Sequence, residues 1–301
     1  MDLITRLAAL HPGAARRSLK QWLAGGRVRV NGDVVRLGNA PLGADDRVVL
    51  GPPAPAPLPG QLRLLYENER LLVVDKPAGL LTIATASERD RTAYRLLTSY
   101  LTTRSAARDR HHPLFIVHRL DRETSGLLVF AKTAAAKRFL QEQFERRTVE
   151  RVYVAVVEGR VREESGTLKT RLREDSGLRV RVARGQEGRE AITHYRVLAR
   201  GTESTLLEIR LETGRRGQIR AQLAAQGHPI VGDEAYGSRS DPLRRVCLHA
   251  IRLGFMDEQG PLQFESPAPA GFRTRALAPR AEAPKAERRS GSGPRIRKRK
   301  K

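Results

Sequence analysis

A chain of 301 residues with 56 lysines and arginines, 33 aspartates and glutamates and a single cysteine, Cys247, carries a formal net charge of +23 at pH 7. This charge indicates a polyanionic partner, nucleic acid before an anionic membrane, and the lone cysteine excludes an internal disulfide framework. No apolar stretch approaches the roughly 20 residues of a membrane-spanning helix and the N-terminus lacks a signal-peptide pattern, so we expect a soluble cytoplasmic protein without a membrane partner.

Composition divides the chain into four segments. They are a patterned segment at residues 1–50, a Pro-rich linker at 51–60, a segment at 61–275 in which apolar runs alternate with turn signals, and a basic tail at 276–301. We predict that the tail is disordered until it binds RNA. Residues 280–301 contribute +8 of the +23, which leaves +15 on the remainder, so the body of the protein is itself strongly basic.

The first segment contains a predicted helix and a predicted hairpin. Residues 14–24 have helical periodicity with an apolar side, and residues 28–35 alternate about the turn signal Asn31-Gly32. A basic helix followed by a basic hairpin favours contact with an RNA backbone, although a small capping domain with a solvated face fits equally well. The candidate RNA-binding residues are Arg16, Arg17, Lys20, Arg27, Arg29 and Asn31.

The third segment is rich in strand signals. Residues 62–79, LRLLYENERLLVVDKPAG, predict two strands followed by a turn, and Leu71–Val74 is apolar enough to be buried on both faces. Alternating apolar residues predict further strands at 151–157, 193–198 and 206–211, whereas helical periodicity is found mainly at 134–144 and 218–226. This pattern predicts an α+β domain built on a mixed, largely antiparallel sheet.

The stretch FIVHRLDRETSGLLVFAKT at residues 115–133 places a charged loop between two apolar strands. Asp121 lies in this loop between Arg119 and Arg122, and neighbouring cations favour the ionised form of a carboxylate. A fixed, ionised carboxylate can act as a nucleophile or as a base. Spacing alone fits a turn-capping or salt-bridged aspartate better than a catalytic one.

HRLDRETSGLLVFAK at residues 118–132 resembles the signature of the RluA-type pseudouridine synthases, which is His-Arg-Leu-Asp, two variable residues, Thr-Ser-Gly-Leu-Leu and then Ala-Lys. Three further blocks follow the order of that family. They are VVDKPAGL at 73–80, YVAVVEG at 153–159 and ETGRRGQIRAQLAAQGHPIVGDEAYG at 212–237. In addition, ARRSLKQWLAGGRVRVNG at 15–32 is similar to the S4 RNA-binding module. The resemblance covers nearly all of the chain except the tail.

This resemblance implies an isomerase without metal or cofactor that converts uridine to pseudouridine in ribosomal or transfer RNA, with Asp121 as its catalytic aspartate. Arg119 would hold the RNA with the uridine flipped out of its helix, and Tyr153 would stack on the flipped base. Arg220 would pair with Asp121 and keep it charged, while Ile219 would pack beneath the tyrosine. The sequence demands nothing larger than a monomer.

Three positions depart from the family pattern. Arg216 and Gly217 stand where the family usually has Thr-His, and Gln222 stands where it has a second histidine. The alternative hypothesis is therefore a catalytically impaired RNA-binding or ribosome-assembly factor on the same fold, against which the intact aspartate, tyrosine and arginine argue. A carboxylate-based hydrolase such as a glycosidase would need a second catalytic acid, and no matching pair of acidic residues stands out.

Overall fold

The computed structural model describes residues 2–24, 27–31, 33–35, 38–43, 45–51, 58, 61–86, 88–104, 113–175, 179–183 and 185–274. The predicted tail and most of the predicted linker lie outside these residues, as does Gly32 of the predicted hairpin turn. Leu58 of the linker segment is buried in the large hydrophobic core of the sheet domain. None of the helices in the described ranges is long and apolar enough to cross a membrane.

The N-terminal part packs two helices with a small antiparallel sheet. The helices are α1 (Leu3–Leu10) and α2 (Arg16–Ala24), and the strands are β1 (Val28–Val30), β2 (Asp33–Val34) and β3 (Val48–Leu50), in the order β2-β1-β3. Leucines of both helices and Val28 form one buried cluster. The predicted helix and hairpin are thus present, whereas α1, which begins with the Asp2 carboxylate accepting the Thr5 amide hydrogen at 3.0 Å, and β3 were not predicted.

The remaining described residues are organised around one mixed sheet with eleven strands. Its strands are β4 (Arg63–Glu67), β5 (Leu71–Lys76), β6 (Phe115–Ile116), β7 (Ser125–Ala131), β8 (Glu150–Glu158), β9 (Ser165–Glu174), β10 (Val180–Val182), β11 (Arg189–Arg200), β12 (Ser204–Leu211), β13 (Leu248–Asp257) and β14 (Gly260–Glu265). The order along the sheet is β10-β9-β11-β12-β8-β13-β7-β5-β4, with β14 on β13 and β6 on β7. Among the described pairs only β7 and β13 are parallel, which confirms the predicted mixed, largely antiparallel sheet.

Both faces of the central strands are covered. Alternate residues of β5 and β7 belong to two different hydrophobic clusters: Leu72 and Val74 to one, Leu71 and Val73 to the other. Helices α3 (Ala93–Arg104) and α5 (Gln218–Ala225) contribute to the first cluster and α4 (Ala134–Glu145) to the second, and the short α6 (Gly271–Thr274) adds Phe272 to the first. Since successive side chains of a strand point to opposite faces, coverage of both faces explains the continuous apolar runs in the sequence.

The parallel pair of β7 and β13 sets a steric limit at Gly126. This glycine has φ +112°, and a Cβ there would overlap the backbone of Ala250. We predict that Gly126→Ala lowers the free energy of unfolding in urea by about 3 kcal/mol or more, because overpacking adds about 1–3 kcal/mol to the cost of a positive φ. Gly227 is the control, since it has φ +79° but open space around a Cβ, and Gly227→Ala should cost about 1 kcal/mol. Equal losses in the two variants would contradict the steric argument.

Candidate active site

Two buried polar side chains fix the loop between β6 and β7, residues 117–124, on either side of Asp121. The Thr82 hydroxyl donates a hydrogen bond to the Leu120 carbonyl at 2.7 Å and accepts one from the Leu120 amide at 3.2 Å. The Lys76 ammonium donates to the Arg122 carbonyl at 3.3 Å and also to two carbonyls in the turn that follows β5. Asp121 is therefore held by its immediate neighbours in the chain rather than by a hydrogen bond of its own carboxylate.

Lys76 is the most deeply buried cation among the described residues. It is fully buried at the end of β5, and burial lowers the pKa of its ammonium to about 7 even though the charges of Asp121 and Glu123 oppose this shift. The three carbonyl oxygens replace the water that an exposed ammonium would bind. Lys76 thus joins the loop to the turn after β5 without competing for the Asp121 carboxylate.

Arg220 on α5 is the cation that lies beside Asp121. Its Nη1 lies 3.7 Å from Asp121 Oδ2 and donates a hydrogen bond to Glu123 at 2.9 Å. Its Nε and Nη2 donate to both carboxylate oxygens of Asp233 at 2.6 and 2.7 Å, and Asp233 is only 1% exposed. The predicted ion pair with Asp121 is present, but the hydrogen-bonded partners of Arg220 are Asp233 and Glu123. Sequence analysis missed both.

The environment of Arg220 keeps this guanidinium charged. Burial opposes its charged form, but the hydrogen bonds and charge of Asp233, with the charges of Asp121 and Glu123, raise the pKa of Arg220 above its ordinary value. The guanidinium carbon also lies 4.8 Å from the centroid of the Tyr236 ring. Arg119 and Arg122, the neighbours of Asp121 in sequence, form no ion pair with it in the part of the chain that the structure describes, and Arg122 instead donates to the Gly79 carbonyl at 3.3 Å.

One open cleft of about 490 Å³ brings the five predicted active-site residues together. Asp121, 18% exposed, and the exposed Arg119 line it with Tyr153, Ile219 and Arg220. Tyr153 on β8 and Ile219 on α5 are both buried members of the large hydrophobic cluster. Burial raises the pKa of Tyr153 to about 12, so its ring remains neutral at physiological pH. The cleft size lies within the range of about 300–1,000 Å³ that is usual for pockets binding small organic groups.

The departure at Gln222 lies in the interior rather than in the cleft lining. Its amide nitrogen donates to the carbonyls of Leu168 and Ala191, both at 3.0 Å, and to the Thr170 hydroxyl at 2.9 Å. Its amide oxygen accepts a hydrogen bond from the Thr193 hydroxyl at 2.6 Å. Gln222 therefore fastens α5 to β9 and β11, and every polar atom of its side chain is satisfied.

The other two departures lie where the chain enters α5. Gly217 has φ +59°, and a Cβ at this position would come within 2.8 Å of the Tyr236 hydroxyl. A side chain there would displace the tyrosine that packs against Arg220. Arg216 lies on the surface and forms an ion pair with Glu174 at 3.3 Å. Both departures are accommodated by local contacts of this chain.

The candidate RNA-binding residues of the N-terminal part differ in their surroundings. Arg16, Arg17 and Lys20 are exposed on α2. Arg27 donates to the Gly51 carbonyl at 3.1 Å, and Arg29 is half-buried. The Asn31 side chain bonds the Asp46 carboxylate at 2.8 Å and the Arg47 amide at 2.9 Å, so it ties the β1–β2 turn to the segment before β3.

Sequence analysis missed four residues that shape the cleft: Lys76, Thr82, Glu123 and Asp233. Lys76 and Asp233 lie within the blocks VVDKPAGL and GDEAYG, and each follows the last residue of an apolar run by two positions. A charge at such a position signals a buried ion pair or hydrogen-bonding role. No comparable signal marks Thr82.

Comparison with known proteins identifies the family. Residues 70–225 match the family model described as RNA pseudouridylate synthase. The ribosomal large subunit pseudouridine synthase D of Xanthomonas campestris is 35% identical over 302 residues, which cover 93% of this chain and 89% of that protein. YhcT of Bacillus subtilis, named as an uncharacterized RNA pseudouridine synthase, is 35% identical over 248 residues, which cover 80% of each chain. The structure of human RNA pseudouridylate synthase domain containing 1 is 26% identical with a TM-score of 0.57, covering 68% of this chain and 83% of that one.

The family model and the similar proteins identify an RNA-modifying isomerase, whose mixed sheet carries the cleft that contains Asp121, Tyr153 and Arg220. The chain belongs to the RNA pseudouridylate synthase family, in its RluA-type branch, and converts uridine to pseudouridine in RNA.

The role of Asp233 in holding Arg220 can be tested against that of Glu123, the other carboxylate that accepts a hydrogen bond from Arg220. Asp233→Asn should lower the free energy of unfolding by about 3 kcal/mol, since it leaves a buried cation with weaker partners, and should slow turnover at least about tenfold because Arg220 loses its bidentate anchor. Glu123→Gln is the control, since Glu123 is 41% exposed, and should cost under about 1 kcal/mol. Urea unfolding and tritium release from RNA containing 5-tritiated uridine measure the two effects. Similar behaviour of both variants would argue against a special role of Asp233.

Proposed function

We propose that Asp121 is the catalytic carboxylate of this synthase and that its substrate is ribosomal RNA, with transfer RNA as the second candidate. The observation that carries the proposal is the position of Asp121, whose carboxylate faces an open cleft beside the buried Arg220 while the flanking backbone is fixed. The ribosomal substrate is supported by several similar proteins that are named as ribosomal large subunit pseudouridine synthases.

The reaction determines what the cleft must do. The bond between N1 of uracil and C1′ of ribose breaks, the base rotates, and a bond forms between C5 and C1′ while the C5 proton is lost and N1 takes up a proton. None of this is possible within a stacked helix, so the uridine must leave it. The Asp121 carboxylate can attack the sugar, attack the base or take a proton from the sugar. Tyr153 offers an aromatic face to the detached uracil, and Arg119 at the exposed wall holds the strand.

We also propose a division of labour along the chain. Residues 1–50 act as an S4-like RNA-binding module, 61–275 as the catalytic domain, 51–60 as the linker, and 276–301 as a basic tail that adds affinity. The exposed cations of α2 support the first assignment. All residues of the proposed site come from one chain, which supports a monomer. A ribosomal substrate is consistent with a cytoplasmic enzyme that needs neither membrane nor cofactor.

The first test replaces Asp121 by Asn, which keeps the shape of the side chain and removes its charge. Discrete pseudouridines should disappear from total cellular RNA, mapped by carbodiimide-dependent stops of reverse transcription, because the reaction loses its proposed catalytic carboxylate. Purified Asp121→Asn should bind the same RNA as tightly as the wild type. If the maps are identical and the purified wild type is inactive on bound RNA, the protein is an RNA-binding or ribosome-assembly factor instead.

A second test concerns α2. Replacing Arg16, Arg17 and Lys20 together by Gln should weaken RNA binding and lower the slope of log affinity against log salt by about 2 to 3, because fewer counterions are released. The rate at saturating RNA should stay at the wild-type value, since α2 contributes no residue to the cleft lining. An unchanged salt slope would remove the proposed RNA-binding role of this helix.

A further inference from the structure

A second nearly buried arginine lies in the same cleft, and its charge is unbalanced. Arg151 on β8 is 8% exposed and lines the cleft together with Asp121 and Tyr153. In the described ranges no carboxylate lies within ion-pair distance of its guanidinium, and burial lowers the pKa of Arg151. Arg220, which is similarly buried, has three carboxylates around it. The charge of Arg220 is therefore balanced by nearby carboxylates, whereas that of Arg151 is not.

The hydrogen bonds of Arg151 leave part of its guanidinium available. Nη2 donates to the backbone carbonyls of Glu212 at 3.0 Å and Leu211 at 3.5 Å, which fixes the side chain at the end of β12. Nε is buried without a partner, and Nη1 makes no hydrogen bond to the described part of the chain. A Cβ at Gly214 would overlap Nη1, so the glycine makes room for this nitrogen at the wall of the cleft.

The buried guanidinium of Arg151 is energetically unfavourable without a nearby carboxylate. A guanidinium cannot be neutralised by losing its proton at physiological pH, and burying it without a counter-charge is unfavourable by several kcal/mol. The contact of its carbon with the Phe144 ring, 5.4 Å from the centroid, offsets only part of this. An anion entering the cleft would supply the missing charge and accept the free hydrogen bonds.

The cleft itself indicates which anion fits. Its charged lining comprises six arginines and three carboxylates, which are Arg119, Arg147, Arg151, Arg215, Arg216 and Arg220 against Asp121, Glu145 and Glu212. RNA is the substrate of this family, and its phosphodiester groups are its anions. Arg151 and Tyr153 are two residues apart on the same face of β8, so their backbone positions are about 7 Å apart. That separation is comparable to the distance between the base and the phosphate of one nucleotide.

We propose that Arg151 binds, through Nη1, the phosphodiester group next to the flipped uridine while Tyr153 faces its base. This inference rests on the proposed function of the cleft. It adds a substrate-binding residue whose contact is the same before and during the reaction. Such a contact strengthens binding of the ground state and the transition state equally.

Kinetics of two variants give the first test. Arg151→Met should raise KM for RNA about 10- to 100-fold with kcat nearly unchanged, the range expected for one hydrogen bond between charged groups, and should reduce the salt slope by about 1. Arg151→Lys, which retains the charge, should fall between this variant and the wild type. The control is Arg196→Met, which removes a 62% exposed arginine on β11 outside the cleft and should match the wild type.

Unfolding in urea separates binding from a structural role. Because Arg151→Met removes an unbalanced buried charge, it should be at least as stable as the wild type, whereas an arginine kept only for its bonds to the end of β12 would give a less stable variant with normal KM and salt slope. That second pattern would overturn the proposal.

The decisive experiment neutralises the phosphate instead of the arginine. RNA with a methylphosphonate in place of the phosphodiester on the 5′ or the 3′ side of the target uridine is tested with wild type and Arg151→Met. At one of the two linkages the methylphosphonate should lower the kcat/KM of the wild type about tenfold or more. The same modification should lower the kcat/KM of Arg151→Met only slightly. Equal losses in both proteins at both linkages would refute the phosphate contact. A wild type inactive on unmodified RNA would instead refute the proposed function.

Discussion

The bidentate ion pair between Arg220 and Asp233 is the interaction on which the geometry of the cleft depends. Both groups are nearly buried, so their mutual attraction mainly compensates for the loss of hydration and adds little net stability. What the pair provides is orientation: two parallel hydrogen bonds leave one guanidinium nitrogen directed at Glu123 and Asp121. The Tyr236 ring covers the guanidinium, and Gly217 leaves room for that ring. Arg220 and its carboxylate partners thus connect the start of α5, the turn around Asp233 and the loop that contains Asp121.

Asp121 is positioned in a different way, which suits the catalytic role that we propose for it. Its carboxylate makes no hydrogen bond in the described part of the chain, while the residues on both sides of it are fixed by Thr82 and Lys76. A reactive carboxylate held through its backbone keeps its oxygens free for substrate and needs little rearrangement when substrate arrives. The constraint lies in buried polar groups of neighbouring segments.

Local sequence patterns predicted the elements that carry these groups, but not how their side chains pair. Alternation located β8 and β12, and helical periodicity located α4 and α5, because each has a face packed on a core. The partners of Arg220 depend instead on strand order and on the path of the turn after α5, which periodicity does not encode. Arg151 looked like an ordinary polar position in an alternating strand, and only the placement of β8 between β12 and β13 shows that its charge is buried without a counter-charge.

The departures from the family pattern bear directly on whether this member is active. Buried polar groups are satisfied in stable folds generally, so the contacts at the substituted positions show how this chain accommodates them. Here Gln222 satisfies four hydrogen bonds in the interior, and Gly217 removes a side chain that would collide with Tyr236. The substituted positions therefore maintain the support of Arg220 by other means. The ion pair of Arg220 with Asp233 is intact behind the cleft, whereas a factor that only binds RNA would need its basic surface and not this buried pair.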